Sequence, residues 1–283
     1  MSSDIQKYLI NLPHRKQRLY NSLTQLRKVE LDNMITIVKG VSPEKARQQQ
    51  FSRLTKRGYQ NIQNPQSNIL IPNYQALACS ISHRNCWVHM VLNDIEEAFI
   101  IEDDIEIVHP EFFRFEIEQM REVVSANSHK CIYIIFNGQY IRKREDYFFS
   151  EDYQEYSYQG SHEDLEHITN QYDNYQDIKY FPYIDYSVIG CHFYYVNLKM
   201  ASFFLTKFKQ IQYQIDIEIS NLASVYSSHL FLNFESSSIK QGHRFPSDIQ
   251  FYLISKHEIS RLLNLNLDLS DKIWGYLSPC FRR

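Results

Sequence analysis

Glycine is scarce: there are only seven among 283 residues, at 40, 58, 138, 160, 190, 242 and 275, and no two lie within five positions of each other. Neither GxGxxG nor GxxxxGK[ST] can then be written, which excludes a glycine-rich phosphate cradle. GxSxG and HExxH are also missing, although the chain holds 11 histidines. The five cysteines (Cys79, Cys86, Cys131, Cys191, Cys280) form no CxxC pair, and no Asn-x-Ser/Thr sequon occurs. An odd set of spaced thiols without a glycosylation signal fits a reducing compartment.

Cys79, His83, Cys86 and His89 are the one His/Cys grouping, and four positions on a single helix cannot surround zinc tetrahedrally. Any metal chemistry is therefore expected on carboxylates.

Excess charge is absent too. Thirty Lys and Arg against 33 Asp and Glu leave a net charge of -3, which argues against a broad basic face for nucleic acid and against a polybasic membrane anchor. No stretch approaches 18 apolar residues and the first eight carry no signal-peptide core, so a soluble, cytoplasmic protein is expected. Hydrophobic residues at 43% and charged residues at 22% exclude wholesale disorder.

What is present reads as α/β, with apolar runs alternating with helical patterns. Strands are expected at Lys7 to Leu12, Met34 to Val38, Ala98 to Ile101, Cys131 to Phe136, Val188 to Val196 and Leu230 to Phe234. Helices are expected after Pro13, from Pro72 through Leu92, from Pro110, through Met200 and Phe204, and from Phe245 to Leu263. Residues 42 to 70, rich in Gln, Asn, Arg and Lys, read as an irregular loop. Residues 147 to 186 hold nine tyrosines and nine acids, and read as an insertion whose rings suit either a surface loop or stacking on sugars. Trp87, flanked by apolar residues, reads as core.

The sharpest feature is Glu102-Asp103-Asp104 directly after Phe99-Ile100-Ile101. Three consecutive carboxylates at a buried strand's end repel one another unless they face water or a cation. In open α/β sheets that strand end is where ligands bind, and Mg²⁺ or Mn²⁺ bridges carboxylates to phosphates there. A solvated acidic turn is the competing reading.

Further motifs accompany the triplet. Ile10-Asn11-Leu12 with Arg15 and Arg18, then Ala78-Cys79-Ser80-Ile81-Ser82-His83, Trp87 and the acidic triplet, resemble the first half of the glycosyltransferase family 25 enzymes. Gly190 with Tyr194-Tyr195-Val196, then Ile215-Asp216, Gln241 and Ser247-Asp248-Ile249 resemble the second half. Three segments depart from the family pattern: Gly40-Val41-Ser42-Pro43, where an Asp usually precedes the proline, Cys191-His192 after the glycine, and Asn197-Leu198-Lys199-Met200 before Ala201.

The resemblance implies a GT-A-type nucleotide-sugar-binding sandwich with a mixed central sheet and the Tyr-rich insertion. It would be a single domain over 1–283, donor-binding to about 140 and acceptor-side from about 141 to 265. It implies an inverting, metal-dependent hexosyltransferase that moves galactose from UDP-galactose to a glycan, glycolipid or glycoprotein. A glucosyltransferase, or an inactive nucleotide-sugar or carbohydrate binder, are the alternatives; a peripheral membrane contact is open and no nucleic acid is expected. Glu102 and Asp104 would hold Mn²⁺ or Mg²⁺, with Asp103 toward ribose or sugar. Asp216 is the first candidate base and Asp248 the second. Asn11, Arg15, Arg18, His83 and Gln241 would serve the donor, with His83 either orienting it or bracing the acidic strand. His243 is a further metal-ligand candidate.

Overall fold

The computed structural model describes residues 5–64, 70–142, 180–182, 186–226, 228–234 and 238–241. All of them lie in one compact unit, Met1–Gln241. Asp248, His243, the helix expected at 245–263 and nearly all of the Tyr-rich segment fall outside the described residues.

The chain opens with β1 (Gln6–Asn11), α1 (Lys16–Lys28) and β2 (Ile35–Lys39), a parallel pair joined by a helix. Pro13 does not open α1; a turn intervenes and the helix starts three residues later. The segment read as irregular instead forms three short helices, α2 (Pro43–Gln48), α3 (Gln50–Arg53) and α4 (Lys56–Gln63). Local caps explain them. Ser42 accepts the Lys45 amide ahead of Pro43, and Thr55 accepts the Gly58 amide at 3.0 Å. A Cβ on Gly58 would sit 3.0 Å from the Ile211 carbonyl oxygen, so glycine lets α4 approach that backbone.

Next come α5 (Tyr74–Leu92), capped by Asn73, then β3 (Glu97–Glu102), β4 (Ile105–Ile107), α6 (Pro110–Ala126) and β5 (Ile132–Phe136). β6 (Gln139–Arg142), β7 (Tyr180–Pro182), β8 (Tyr186–Ile189), β9 (Phe193–Asn197), α7 (Leu198–Lys207), α8 (Ile215–Val225), β10 (Leu230–Phe234) and β11 (Ile239–Gln241) follow. Ile215-Asp216-Ile217-Glu218-Ile219 alternates like a strand yet forms the start of α8. Ile215 and Ile219, one helical turn apart, are both buried, and that pair sets the helical period here.

Among the described residues, seven strands form the main sheet in the order β2-β1-β3-β9-β5-β10-β7. β1, β2 and β3 run parallel, as do β5 and β10, while β9 is antiparallel between β3 and β5. A mixed central sheet results. Strand side chains alternate between two apolar clusters. Leu9, Phe99, Ile101, Phe193 and Ile134 pack with Leu26 of α1 and Phe113 and Met120 of α6. Tyr8, Ile100, Tyr194 and Tyr133 pack with Trp87 and Met90 of α5, Phe204 of α7 and Ile219 of α8. Trp87 is core, as its sequence surroundings indicate, whereas Leu92 at the end of α5 is exposed. Each large apolar side chain buried this way contributes roughly 1.5–3 kcal/mol before chain entropy is counted.

Candidate active site

β1 and β3 run in parallel register with Ile10 beside Glu102, so Asn11 and the acidic triplet emerge together at their carboxyl ends. The chain turns at Asp103-Asp104 into β4, which pairs with β11 and sets Ile105 opposite Gln241. The three carboxylates then fan apart.

Asp103 faces α1. Its Oδ2 accepts from Asn11 Nδ2 at 2.6 Å and its Oδ1 from Arg18 Nη1 at 3.0 Å, in a buried ion pair. Arg15 stands nearby, its guanidinium driven toward the neutral form by burial and by Arg18, with Asp103 and Asp104 opposing.

Asp104 is different. Gln241 Nε2 donates to its Oδ2 at 2.9 Å and Arg18 lies 3.9 Å from the same oxygen, while Oδ1 is buried without a hydrogen-bond partner. Burial, with Glu102 next, pushes this carboxyl up to about 7. A buried carboxylate oxygen without a donor is costly, and an oxygen-seeking dication is the partner whose chemistry relieves it. The residues therefore fit the divalent cation expected of this strand end, with Asp104 Oδ1 the buried atom left open to it.

Glu102 turns toward α5. His83 Nε2 lies 2.9 Å from its Oε1, and Cys79 Sγ donates to the same oxygen at 3.5 Å. His83 Nδ1 is 3.0 Å from the Tyr194 hydroxyl, which accepts from the Trp87 indole at 3.1 Å. An indole N–H only donates and a carboxylate only accepts, so the neutral imidazole that satisfies both ends carries its proton on Nε2. Burial pushes the Glu102 carboxyl up, but the hydrogen bond from His83, with His192 and Cys79 adding to it, outweighs burial and holds it below the usual range. His83 thus contacts the carboxylate at the end of the acidic strand. Burial first, then Glu102, holds the Cys79 thiol well above its ordinary value.

Across the sheet, the Glu102 amide donates to the His192 carbonyl at 2.9 Å. His192 is 94% buried by its 6% exposure, its Nε2 has no partner, and burial lowers its proton affinity. Just before it, Gly190 adopts φ +98°, a conformation that suits glycine. That turn aims the Gly190 amide at Asp216 Oδ2, 3.0 Å away, while Oδ1 accepts the Ile217 amide at 2.8 Å. Burial raises the Asp216 carboxyl, the two amides oppose it, and Glu102 raises it further. Asp216 thus joins Glu102 and His192 in one electrostatic neighbourhood.

Asn11, Arg18 and Asp103 meet as one buried set, Asp104 and Gln241 as a second, and Glu102 with His83 as a third. The residues not singled out for chemistry in the sequence are Tyr194, Trp87 and His192. Trp87 and Tyr194 stood in segments that carry the resemblance, and Cys191-His192 stood out as a departure from it.

These features define an α/β protein with a mixed central sheet and a polar site at the carboxyl ends of its parallel strands. The chain belongs to glycosyltransferase family 25, described as LPS biosynthesis protein, whose profile matches residues 4–219. It is thus a sugar-transferring enzyme, and membership implies a nucleotide-sugar donor and a glycan or glycoconjugate acceptor. The match ends before Gln241 and Asp248. No curated protein matches the chain. Among solved structures, apo UDP-glucose pyrophosphorylase is similar at 12% identity and a TM-score of 0.33, over 82% of this chain and 90% of that one; at that level the likeness carries no argument. No helix among the described residues is long and apolar enough to cross a membrane.

Proposed function

We propose that the chain transfers a hexose, galactose from UDP-galactose, to a hydroxyl of a glycan, glycolipid or glycoprotein, with inversion at the anomeric carbon. The observation that carries this reading is Asp104, a buried carboxylate with one oxygen held by Gln241 and the other without a partner. Asp104 is the principal ligand for Mn²⁺ or Mg²⁺, with Glu102 beside it. When bound, the cation offsets the charge that builds on the departing diphosphate. Arg15 and Arg18 add positive charge for that diphosphate on the α1 side. Asn11 and Arg18 fix Asp103, whose remaining lone pairs accept from ribose or sugar hydroxyls. His83 keeps Glu102 ionised and aimed.

Asp216 is the general base. Burial gives its carboxylate more proton affinity than a surface aspartate, which suits removal of the acceptor hydroxyl's proton as that oxygen attacks opposite the diphosphate. Asp248 is the second candidate for this role. An acceptor carried on a membrane would be reached by peripheral contact.

The test is UDP release from a panel of UDP-sugars with Mn²⁺, with and without EDTA. Metal-dependent release from UDP-galactose is expected, and release from UDP-glucose alone would reassign the donor. Silence across the panel, joined to no Mn²⁺-dependent UDP-sugar binding by calorimetry, would overturn transfer in favour of an inactive fold.

A further inference from the structure

On the α5 side of β3 three atoms of different chemical softness converge: Cys79 Sγ, His83 Nε2 and Glu102 Oε1, all within 4.8 Å of one another. Among the described residues no other His, Cys, Asp and Glu trio does this. Cys79 and His83 stand four positions apart on α5, hence on one helical face, and Glu102 closes the group from the sheet.

We propose that this trio is a site for one thiophilic divalent cation, of the Zn²⁺ or Co²⁺ class, distinct in ligand type from the all-oxygen site at Asp104.

Spacing supports it. Tetrahedral bonds of about 2.0 Å to N and O and about 2.3 Å to S separate ligand atoms by roughly 3.3–3.6 Å. Cys79 to Glu102 is already 3.5 Å, and His83 to Glu102, at 2.9 Å, opens by about 0.4 Å to reach the lower bound. Support from behind is also in place. Metal-bound imidazoles are oriented through their other nitrogen, and here His83 Nδ1 rests on the Tyr194 hydroxyl, itself fixed by Trp87. Cys79 and Glu102 both keep partial exposure, which gives an ion its path and leaves a fourth position for water.

The exchange balances. The ion replaces the Cys79 thiol proton, which leaves to solvent. His83 stays neutral, its proton moving from Nε2 to Nδ1, where the Tyr194 oxygen accepts it as the hydroxyl hydrogen turns away from Nδ1. Glu102 keeps its charge. Hard cations such as Mg²⁺ do not displace a thiol proton, whereas thiolate selects soft ones. Binding would engage Glu102 and so inhibit transfer. That consequence rests on the transfer reading; the site itself does not.

The experiment adds Co²⁺ to the full chain and follows the thiolate-to-cobalt charge-transfer band. One equivalent is expected to bind with that band. Cys79→Ser, which keeps a hydrogen bond to Glu102, should abolish the band, and Cys131→Ser should retain it. Tyr194→Phe should weaken Co²⁺ binding by about 10-fold. In parallel, Zn²⁺ should slow alkylation of Cys79 and leave Cys131 unchanged. No charge-transfer band in the native chain, a band that survives Cys79→Ser, or alkylation indifferent to Zn²⁺ would each overturn the site.

Discussion

The two flanks of the β3 end each centre on a carboxylate and are left in different states. Toward α1, Asp103 has both oxygens filled by Arg18 and Asn11, and the ion pair is buried under Arg18. Toward α5, Glu102, His192 and Asp216 crowd together, with His192 Nε2 unpartnered, and Asp104 at the turn between the flanks keeps Oδ1 unpartnered. The saturated flank has the character of scaffold. The unsaturated one retains polar capacity that the fold itself does not use, and such capacity at a strand's carboxyl end is what a ligand fills.

That contrast can be broken from either side. The largest effect is expected for Asp216→Asn, which should lower kcat by about 10²–10⁴-fold while leaving UDP-sugar affinity near the native value. Turnover and calorimetric donor binding, measured side by side, separate the two quantities. Turnover close to native would move the base role to Asp248.

On the saturated flank, Arg18→Met strands the Asp103 charge in a buried setting. A stability loss of about 3–5 kcal/mol is expected from the urea midpoint. A neutral result would mean that Arg18 serves the diphosphate alone and does not also hold Asp103.

A smaller effect lies further along α8. Burial raises Glu218 from 4.5 to about 7, and its Oε2 has no partner. The native state therefore holds a proton that the unfolded chain gives up between pH 4.5 and about 7. Stability from this group is full below that window and falls as pH rises through it, by on the order of 2 kcal/mol. Glu218→Gln should remove the fall, so thermal midpoints of variant and native chain should diverge in the variant's favour from pH 5 to pH 8. Parallel midpoints would assign the pH dependence elsewhere.

Much of this frame was legible in the sequence. Phe99-Ile100-Ile101 and Ile132 to Phe136 are unbroken apolar runs because both faces of those strands are covered, and both landed where their patterns placed them. Residues 43 to 63 were misread because capping by Ser42 and Thr55, not apolar period, makes those helices. Ile215 to Ile219 alternates over only five residues, too few to choose between strand and helix, and the fold makes it the start of α8.

At the site, the triplet announced itself, but consecutive residues at a turn diverge, and only the fold decides which way each points. Asp103 went to Arg18, Asp104 to Gln241 and Glu102 to His83. Tyr194 and Trp87 looked like core because they are core; their polar tips matter through partners more than a hundred positions away.

The central claim is that Asp104 Oδ1 is left open for a divalent cation. Mn²⁺ binding to the native chain and to Asp104→Asn, measured by calorimetry with UDP present, tests it most directly. A loss of more than about 100-fold in Mn²⁺ affinity is expected, beyond the 10–100-fold that removal of an outer-shell partner costs. Equal affinity in the two chains would contradict it.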